Sequence, residues 1–221
     1  MTLLYPKNDE IFVVKYDNYF HQNDIKNYLK TREKYLENKN ATEDKSTFES
    51  FRLKSFYYAG KTGEALNFIK SYYPIFLSDT LSSNPYKSDT RMIRVSAILK
   101  HSGNLKQANH LAEIYCNKVN SEFKHNGDLK KEKLEIIHDY SICACLSGNG
   151  KLASEIIEEY YFNRKSKAST YDGVLNNMIT DLISDTPEFK ELKIRIKEDI
   201  NTMRNNAITF LKTENAWLED R

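Results

Sequence analysis

Apolar and polar positions follow one another along this chain with the period of α-helices. In the last third, apolar residues recur at mostly three- and four-residue steps, at Phe189, Leu192, Ile196, Ile200, Met203, Ala207, Phe210 and Trp217. That spacing predicts one amphipathic helix. No Gly or Pro interrupts it after Pro187, so it could run about 45 Å at 1.5 Å per residue. Thr186 stands where its N-cap belongs, with Pro187 in the first turn.

A shorter amphipathic helix is predicted just before it, from Thr170 to Ile183, by the apolar residues Val174, Leu175, Met178, Ile179, Leu182 and Ile183. The long helix that begins at Pro187 is longer than is needed to cover one helical pair. It therefore either caps the preceding helices along its length, or its far end leaves the body and pairs with another copy.

Residues 1–169 contain a repeated spacing. A turn residue is followed five positions later by a helix residue and seven after that by a tyrosine. The turn residues lie 37, 43 and 45 residues apart. Such self-similarity indicates stacked two-helix units rather than one globular core. The four sets are Asn23/Tyr28/Tyr35, Gly60/Ala65/Tyr72, Gly103/Ala108/Tyr115 and Gly148/Ala153/Tyr160.

Each member of a set has a predicted structural role. The glycines fall where a helix should end with positive φ, a conformation that glycine adopts without steric cost and that Asn23 tolerates next best. The alanines are small enough to let paired helices approach closely, a rule that Tyr28 breaks. The tyrosines share one helix face, where they either pack between successive hairpins or form a ladder that binds a ligand.

A turn glycine followed five residues later by an alanine, with a helix on each side, resembles the tetratricopeptide repeat, which is usually 34 residues long. Ser96 and Ser141 match the small residue of that family's first helix, whereas its late proline is missing from all four units. The resemblance covers residues 10 to 165. It implies an all-α, right-handed α-solenoid of about four hairpins at 10–38, 45–77, 88–124 and 129–165. A C-terminal helical extension, 170–221, would follow.

In the family that these repeats resemble, the first helices line a concave groove that binds peptides. The groove positions lie two, three and six residues before each turn residue. In the middle of the groove these positions hold basic and aromatic residues, which suit an extended or acidic peptide. The chaperone-binding subgroup needs Lys and Asn where Val13 and Asp17 stand, so we do not expect a carboxylate clamp. The groove positions are Asp17, Phe20, His21, Lys54, Tyr57, Tyr58, Ala97, Lys100, His101, Ile142, Cys145 and Leu146.

The stretch from Ser184 to Leu192, with Asp199 and Arg204 beyond it, resembles the tail that follows such repeats in some bacterial multidomain regulators. There a DNA-binding or signalling domain precedes the repeats. Since the pattern here begins a helix at Ile11, with no room for such a domain, we expect the C-terminal sensory or assembly module of a longer protein. The leading hypothesis is thus a protein- or peptide-binding scaffold, and the alternative is an oligomerisation module acting through residues 187–217.

Charge and composition narrow the choice of partners. The 33 basic and 31 acidic residues leave a net charge of +2, which argues against nucleic acid as a partner. No apolar run reaches the length of a membrane span, and no signal sequence opens the chain. Cys116, Cys143 and Cys145 read as buried reduced thiols, with redox or metal use as the alternative. We therefore expect a cytoplasmic location, or an extracytoplasmic one if the chain belongs to a membrane-anchored regulator.

Catalytic and cofactor motifs are missing from the sequence. None of the five histidines falls in a His-Glu-x-x-His pattern or at ligand spacing from a cysteine. Gly60-Lys61-Thr62-Gly63 lacks the four-residue gap of a phosphate-binding loop. We expect no enzyme activity, no cofactor and no metal.

Overall fold

The computed structural model describes residues 19, 27, 30, 31, 45–85, 90–122, 129, 133–163 and 177–213. Every regular element among these residues is helical, which confirms the all-α prediction. The predicted first hairpin, 10–38, lies outside the described residues except for four isolated positions. Its solenoid stacking with the others stays a prediction, as does the division of the chain at residue 169.

The chain divides into two compact units, Met1–Asn117 and Lys118–Arg221. The first contains α1 (Lys45–Tyr58), α2 (Thr62–Tyr72), a 3₁₀ turn (Pro74–Leu77), α3 (Thr90–His101) and most of α4 (Leu105–Glu122). The second contains α5 (Leu134–Leu146), α6 (Gly150–Glu158), a π-helical turn (Glu159–Asn163), a 3₁₀ turn (Thr180–Ile183) and α7 (Pro187–Thr213). None of the described helices is long and apolar enough to cross a membrane.

Helices α1, α3 and α5 all end in the same hydrogen-bonded turn. At the end of α3, Gly103 has φ +80°. Its N–H donates to the carbonyl of Lys100 at 3.0 Å, and the next N–H, of Asn104, donates to the carbonyl of Leu99 at 2.8 Å. This pair of bonds is the Schellman motif. It recurs at Gly60 and Gly148, where φ is +67° and +74°, so the predicted positive φ is confirmed at all three glycines.

Small residues bring the paired helices together, as their spacing predicts. Ala65, Ala108 and Ala153 are all buried. In the α3–α4 pair, the buried Ser96 hydroxyl donates across the helix interface to the carbonyl of Ala108 at 2.8 Å. A hydroxyl can make that bond only where the two backbones lie close, so α3 and α4 approach each other closely at Ser96 and Ala108.

Helix α4 also holds the segment that follows α2. The amide of Gln107 donates to the carbonyl of Phe76 at 2.7 Å, and His110 Nε2 lies 2.8 Å from the carbonyl oxygen of Leu81. Lys106 forms an exposed ion pair with Asp79 at 3.0 Å. The carbonyls of Phe76 and Leu81 thus find their partners in side chains of α4. The largest fully buried apolar side chains of this unit are Leu53, Ile69, Tyr73, Phe76, Met92, Ile98 and Leu111.

The predicted tyrosine positions are only partly right. Tyr115 is buried as expected, but Tyr72 is 47% exposed and its neighbour Tyr73 is fully buried instead. Helix α2 ends at Tyr72, so the chain leaves the helical phase there and Tyr73 turns inward. In the second unit, Tyr161 is fully buried while Tyr160 is only half-buried. The π-helical turn shifts the phase of that segment.

In the second unit, α6 packs against the first turns of α7. Phe189, Leu192 and Ile196 of α7 are buried there. A Cβ added to Gly150, at the start of α6, would overlap the side chain of Thr186, so only glycine fits at this contact. Farther along, the buried Tyr161 hydroxyl donates to Asp199 at 3.1 Å, and Arg195 pairs with Glu158 at 2.8 Å.

Two predictions about the segments around residue 186 need correction. The α-helix predicted from Thr170 to Ile183 is wrong over its described part, where Thr180–Ile183 forms a 3₁₀ turn. Thr180 and Ile183 are both buried, and 3₁₀ geometry places residues three apart directly above one another. Helix α7 does begin at Pro187, but the Thr186 hydroxyl donates to the carbonyl of Ile183 at 2.8 Å instead of capping the helix.

Helix α7 has 27 residues, about 40 Å at 1.5 Å per residue. Its residues up to Ile196 include the three that are buried against the body, and none of its residues from 197 to 213 is buried. The first part therefore packs against α6, whereas residues 197–213 do not show the burial expected if α7 capped the preceding helices along its whole length. Pairing of the far part with another copy stays a prediction.

Candidate functional site

Residues from the ends of two neighbouring helices form a basic and aromatic surface. Helices α1 and α3 contact each other, and the rings of Tyr57 on α1 and His101 on α3 lie 4.7 Å apart between centroids. We call this surface the α1–α3 face and define it by Lys54, Tyr57, Tyr58, Lys100 and His101. All five were predicted from their distance to a turn glycine, and the ring contact joins residues from different helical pairs.

The common turn explains why these residues meet. Tyr57 and Lys100 lie three residues before their glycines, and Tyr58 and His101 lie two before. Because Gly60 and Gly103 end their helices with the same hydrogen bonds, equivalent positions of α1 and α3 come to similar places at the helix ends. The repeat therefore creates the face, and the amino acids at these positions give it its chemistry.

The aromatic part of the face is ordered by its own contacts. Tyr57 and Tyr58 meet edge to face with centroids 5.4 Å apart, a favourable arrangement for two aromatic rings. The ammonium of Lys54 lies 5.7 Å from the centroid of the Tyr58 ring, within the range of a cation–π interaction. All three side chains are partly exposed, so rings and ammonium form a surface rather than a core.

Lys100 contributes a partly desolvated charge. Its ammonium donates to the side-chain carbonyl of Asn109 on α4, at 2.5 Å. Partial burial lowers the pKa of Lys100 below the ordinary value for lysine. An ammonium that has already lost some of its water loses less on meeting an anion, so a carboxylate placed here would gain more than at a fully solvated lysine.

Net positive charge is concentrated on α1 and α3, although the whole chain is nearly neutral. Helix α3 carries two Arg, one Lys and one His without any Asp or Glu. Helix α1 carries two Lys and one Arg against a single Glu. A net charge of +2 for the chain therefore conceals a basic surface, and a local surface of one sign attracts ligands of the other.

Several predicted groove residues do not join the face. Asp17 and His21 lie outside the described residues. Ala97, Cys145 and Leu146 are buried and thus cannot line an accessible groove. In α5 the positions equivalent to Tyr57 and Tyr58 are Cys145 and Leu146, whose apolar side chains pack inward. The counting rule therefore selects partly or fully exposed residues at all three positions on α1 and at two on α3, but buried ones at Ala97 and at two positions on α5. That any of them lines a binding groove stays a prediction.

Two residues beside the face were not predicted. Asn109 reaches Lys100 from α4, a contact between helices that no spacing within α3 could indicate. Arg94 lies seven residues before His101, two helical turns away on the same side of α3, and is partly exposed. The seven-residue spacing was a signal that could have identified Arg94.

The cysteines differ from the sequence-based prediction. Cys116 and Cys143 are disulfide-bonded, whereas Cys145 is a free, buried thiol whose pKa is raised by burial to about 12. The prediction of three reduced thiols is therefore wrong for two of them, because the spacing of cysteines within a helix does not determine their oxidation state. The argument for a reducing compartment rested on those thiols and no longer holds.

Within the described ranges, no group of three or more His, Cys, Asp or Glu side chains is arranged to hold a metal ion. Comparison with protein-family models, with curated proteins and with solved structures gave no match to this chain.

Proposed function

We propose that this chain is a protein-binding scaffold whose α1–α3 face captures an extended, acidic segment of a partner protein. The observation that supports this most is the contact between Tyr57 and His101, 4.7 Å across the junction of α1 and α3, with lysines on both helices. A surface spanning two helices in this way offers a peptide chain successive contacts along its length.

Two kinds of contact would hold such a segment. Carboxylates of the peptide would pair with the ammonium groups of Lys54 and Lys100, and its apolar or aromatic side chains would lie on the rings of Tyr57 and Tyr58. The charges would speed encounter and select for acidic sequences, while the rings would supply most of the buried area. Neither contact requires catalysis, a cofactor or a metal.

The biological setting belongs to the same proposal. The resemblance of the repeats and of the tail at Ser184–Leu192 to bacterial multidomain regulators supports a role as the interaction or sensory module of a regulatory protein. In that setting, capture of an acidic segment at the α1–α3 face would recruit the partner that the regulator responds to.

Fluorescence anisotropy on the full chain would test the proposal. The probe is a fluorescein-labelled peptide of alternating Glu and Tyr, with a Lys-and-Tyr peptide of equal length for comparison. We expect the acidic peptide to bind and the basic peptide not to bind. Lys54→Glu combined with Lys100→Glu should weaken binding about 10- to 100-fold, because each reversal replaces an attraction by a repulsion.

The matched control is Lys70→Glu combined with Lys151→Glu, which changes the net charge equally at exposed lysines of α2 and α6. This control should bind the acidic peptide nearly as well as the original chain, and far-UV circular dichroism should show equal helicity for all variants. Equal weakening by both pairs would show attraction by overall charge and contradict a defined face. Tighter binding of a single-stranded oligonucleotide than of the acidic peptide would also contradict the proposal.

A further inference from the structure

His101 differs in chemistry from the residues at equivalent positions of the other first helices. It is the last residue of α3, and the last residues of α1 and α5 are Tyr58 and Leu146. Among these three side chains, only histidine is of the type that gains or loses a proton near neutral pH. His101 is exposed, so protons from the solvent and a ligand on the α1–α3 face can both reach it.

The surroundings of His101 can accommodate a positive charge on its ring. The ring of Tyr57 lies 4.7 Å away between centroids and is tilted by 43°, close enough for an imidazolium to make a cation–π contact with it. The carbonyl groups at the end of a helix carry partial negative charge, which suits a cation in the last turn of α3. Lys100 is adjacent in sequence, but its side chain leaves the helix about 100° farther around the axis.

Protonation of His101 adds a cation to a face that contains no carboxylate among its five defining residues. Lys54 and Lys100 supply the other two cations. On the helices that contact α3, the other described side chains that are charged or titratable are Arg52, Glu64, Lys70, Tyr72, Lys106, His110, Glu113, Tyr115, Lys118 and Glu122. Those residues include both signs, so the gain of positive charge with falling pH is local to the face.

We propose that His101 makes the α1–α3 face pH-dependent, so that an acidic segment binds more tightly as the pH falls from about 8 to 6. This inference rests on the proposed function, because it concerns the same ligand at the same face. An imidazolium attracts a carboxylate and can donate from both ring nitrogens, whereas neutral imidazole donates from only one. By linkage, a bound carboxylate favours the protonated ring, so binding takes up protons.

Isothermal titration calorimetry of the full chain tests the inference. The probe is an unlabelled peptide of alternating Glu and Tyr with blocked termini, whose carboxylates stay largely ionised above about pH 6. At low salt we expect a dissociation constant about 3- to 5-fold lower at pH 6 than at pH 8, the effect of one exposed charge pair. In two buffers of different protonation enthalpy, binding at pH 7 should take up part of one proton.

Two substitutions fix the charge at this position. His101→Gln stays neutral and should bind at pH 6 only as tightly as the original chain binds at pH 8. His101→Lys stays charged and should bind at pH 8 about as tightly as the original chain binds at pH 6. Both should lose the proton uptake. The matched control is His138→Gln, at an exposed histidine of α5, which should keep the pH dependence and the proton uptake.

The outcomes distinguish this inference from the proposed function. Equal affinity at pH 6 and pH 8, or pH dependence that persists in His101→Gln, would overturn the inference and leave the face as the site of acidic-segment binding. Absence of peptide binding at every pH would overturn both. Circular dichroism should show equal helicity for all variants at both pH values, and a loss of helicity that accompanies the change in affinity would also overturn the inference.

Discussion

The role of a single residue can be predicted best from the sequence where the local backbone conformation alone determines it. The turn that ends α1, α3 and α5 needs a residue with positive φ. Glycine supplies it at Gly60, Gly103 and Gly148, whatever side chains pack nearby. The tyrosines depend on helical phase instead. The end of α2 and the π-helical turn each shift the phase by one position, so burial moves to Tyr73 and Tyr161. Counting residues from the turn glycine assumes an unbroken α-helix and therefore misses both shifts.

The turn at Gly103 allows a test of backbone strain alone. Nothing lies within 4 Å of a Cβ added there, yet φ is +80°. Gly103→Ala should therefore lower the free energy of unfolding by about 1–2 kcal/mol through strain without any clash. Gly103→Asn should cost less, because asparagine tolerates the left-handed region better. Urea denaturation of both variants measures the difference, and equal losses would refute the explanation by φ.

At the scale of helices, pairing within a hairpin is more predictable than contact between hairpins. The Ser96–Ala108 contact follows from small residues at fixed distances on either side of one turn. To predict the α1–α3 face, one must know both the distance of each residue from its turn glycine and how the two helices pack against each other. The distance alone also placed Cys145 and Leu146 in a groove, and both are buried. The accessible side of the first helix in a hairpin depends on which other helices pack against it, and the residue spacing within that hairpin does not indicate this.

Ser96 and Ser141 occupy equivalent positions, seven residues before their turn glycines. Comparing them shows what a hydrogen bond between two helices contributes relative to one within a single helix. The Ser96 hydroxyl crosses to the carbonyl of Ala108, whereas the Ser141 hydroxyl donates to the carbonyl of His138 in its own helix, at 2.6 Å. Ser96→Ala leaves a buried carbonyl without this donor and should cost about 1 kcal/mol of unfolding free energy. Ser141→Ala should cost less than half as much, because its bond lies within one helix and its loss removes no contact between two helices. A larger loss at Ser141 in urea denaturation would contradict this assignment.

At the scale of the whole molecule, the all-α class was predictable because helical periodicity is present along nearly all of the chain. The oxidation state of its cysteines was not predictable, because their spacing along the chain does not determine which thiols are oxidised. Cys116 and Cys143 are bonded and Cys145 is not, a pattern that spacing within α5 could not reveal. This state governs how the folded chain responds to thiol reagents.

Thiol titration of the intact chain therefore has a definite expected outcome. The pKa of Cys145 is raised by burial to about 12, so at pH 8 the native protein should react with no equivalent of Ellman's reagent. Unfolded in guanidinium without reductant, it should show one thiol, since an exposed cysteine has a pKa of about 8.5. After reduction it should show three. The same shift implies that unfolding free energy falls as pH rises from about 8.5 towards 12, because the unfolded thiol loses its proton first. Three thiols in the unfolded, unreduced protein would show instead that all cysteines are reduced.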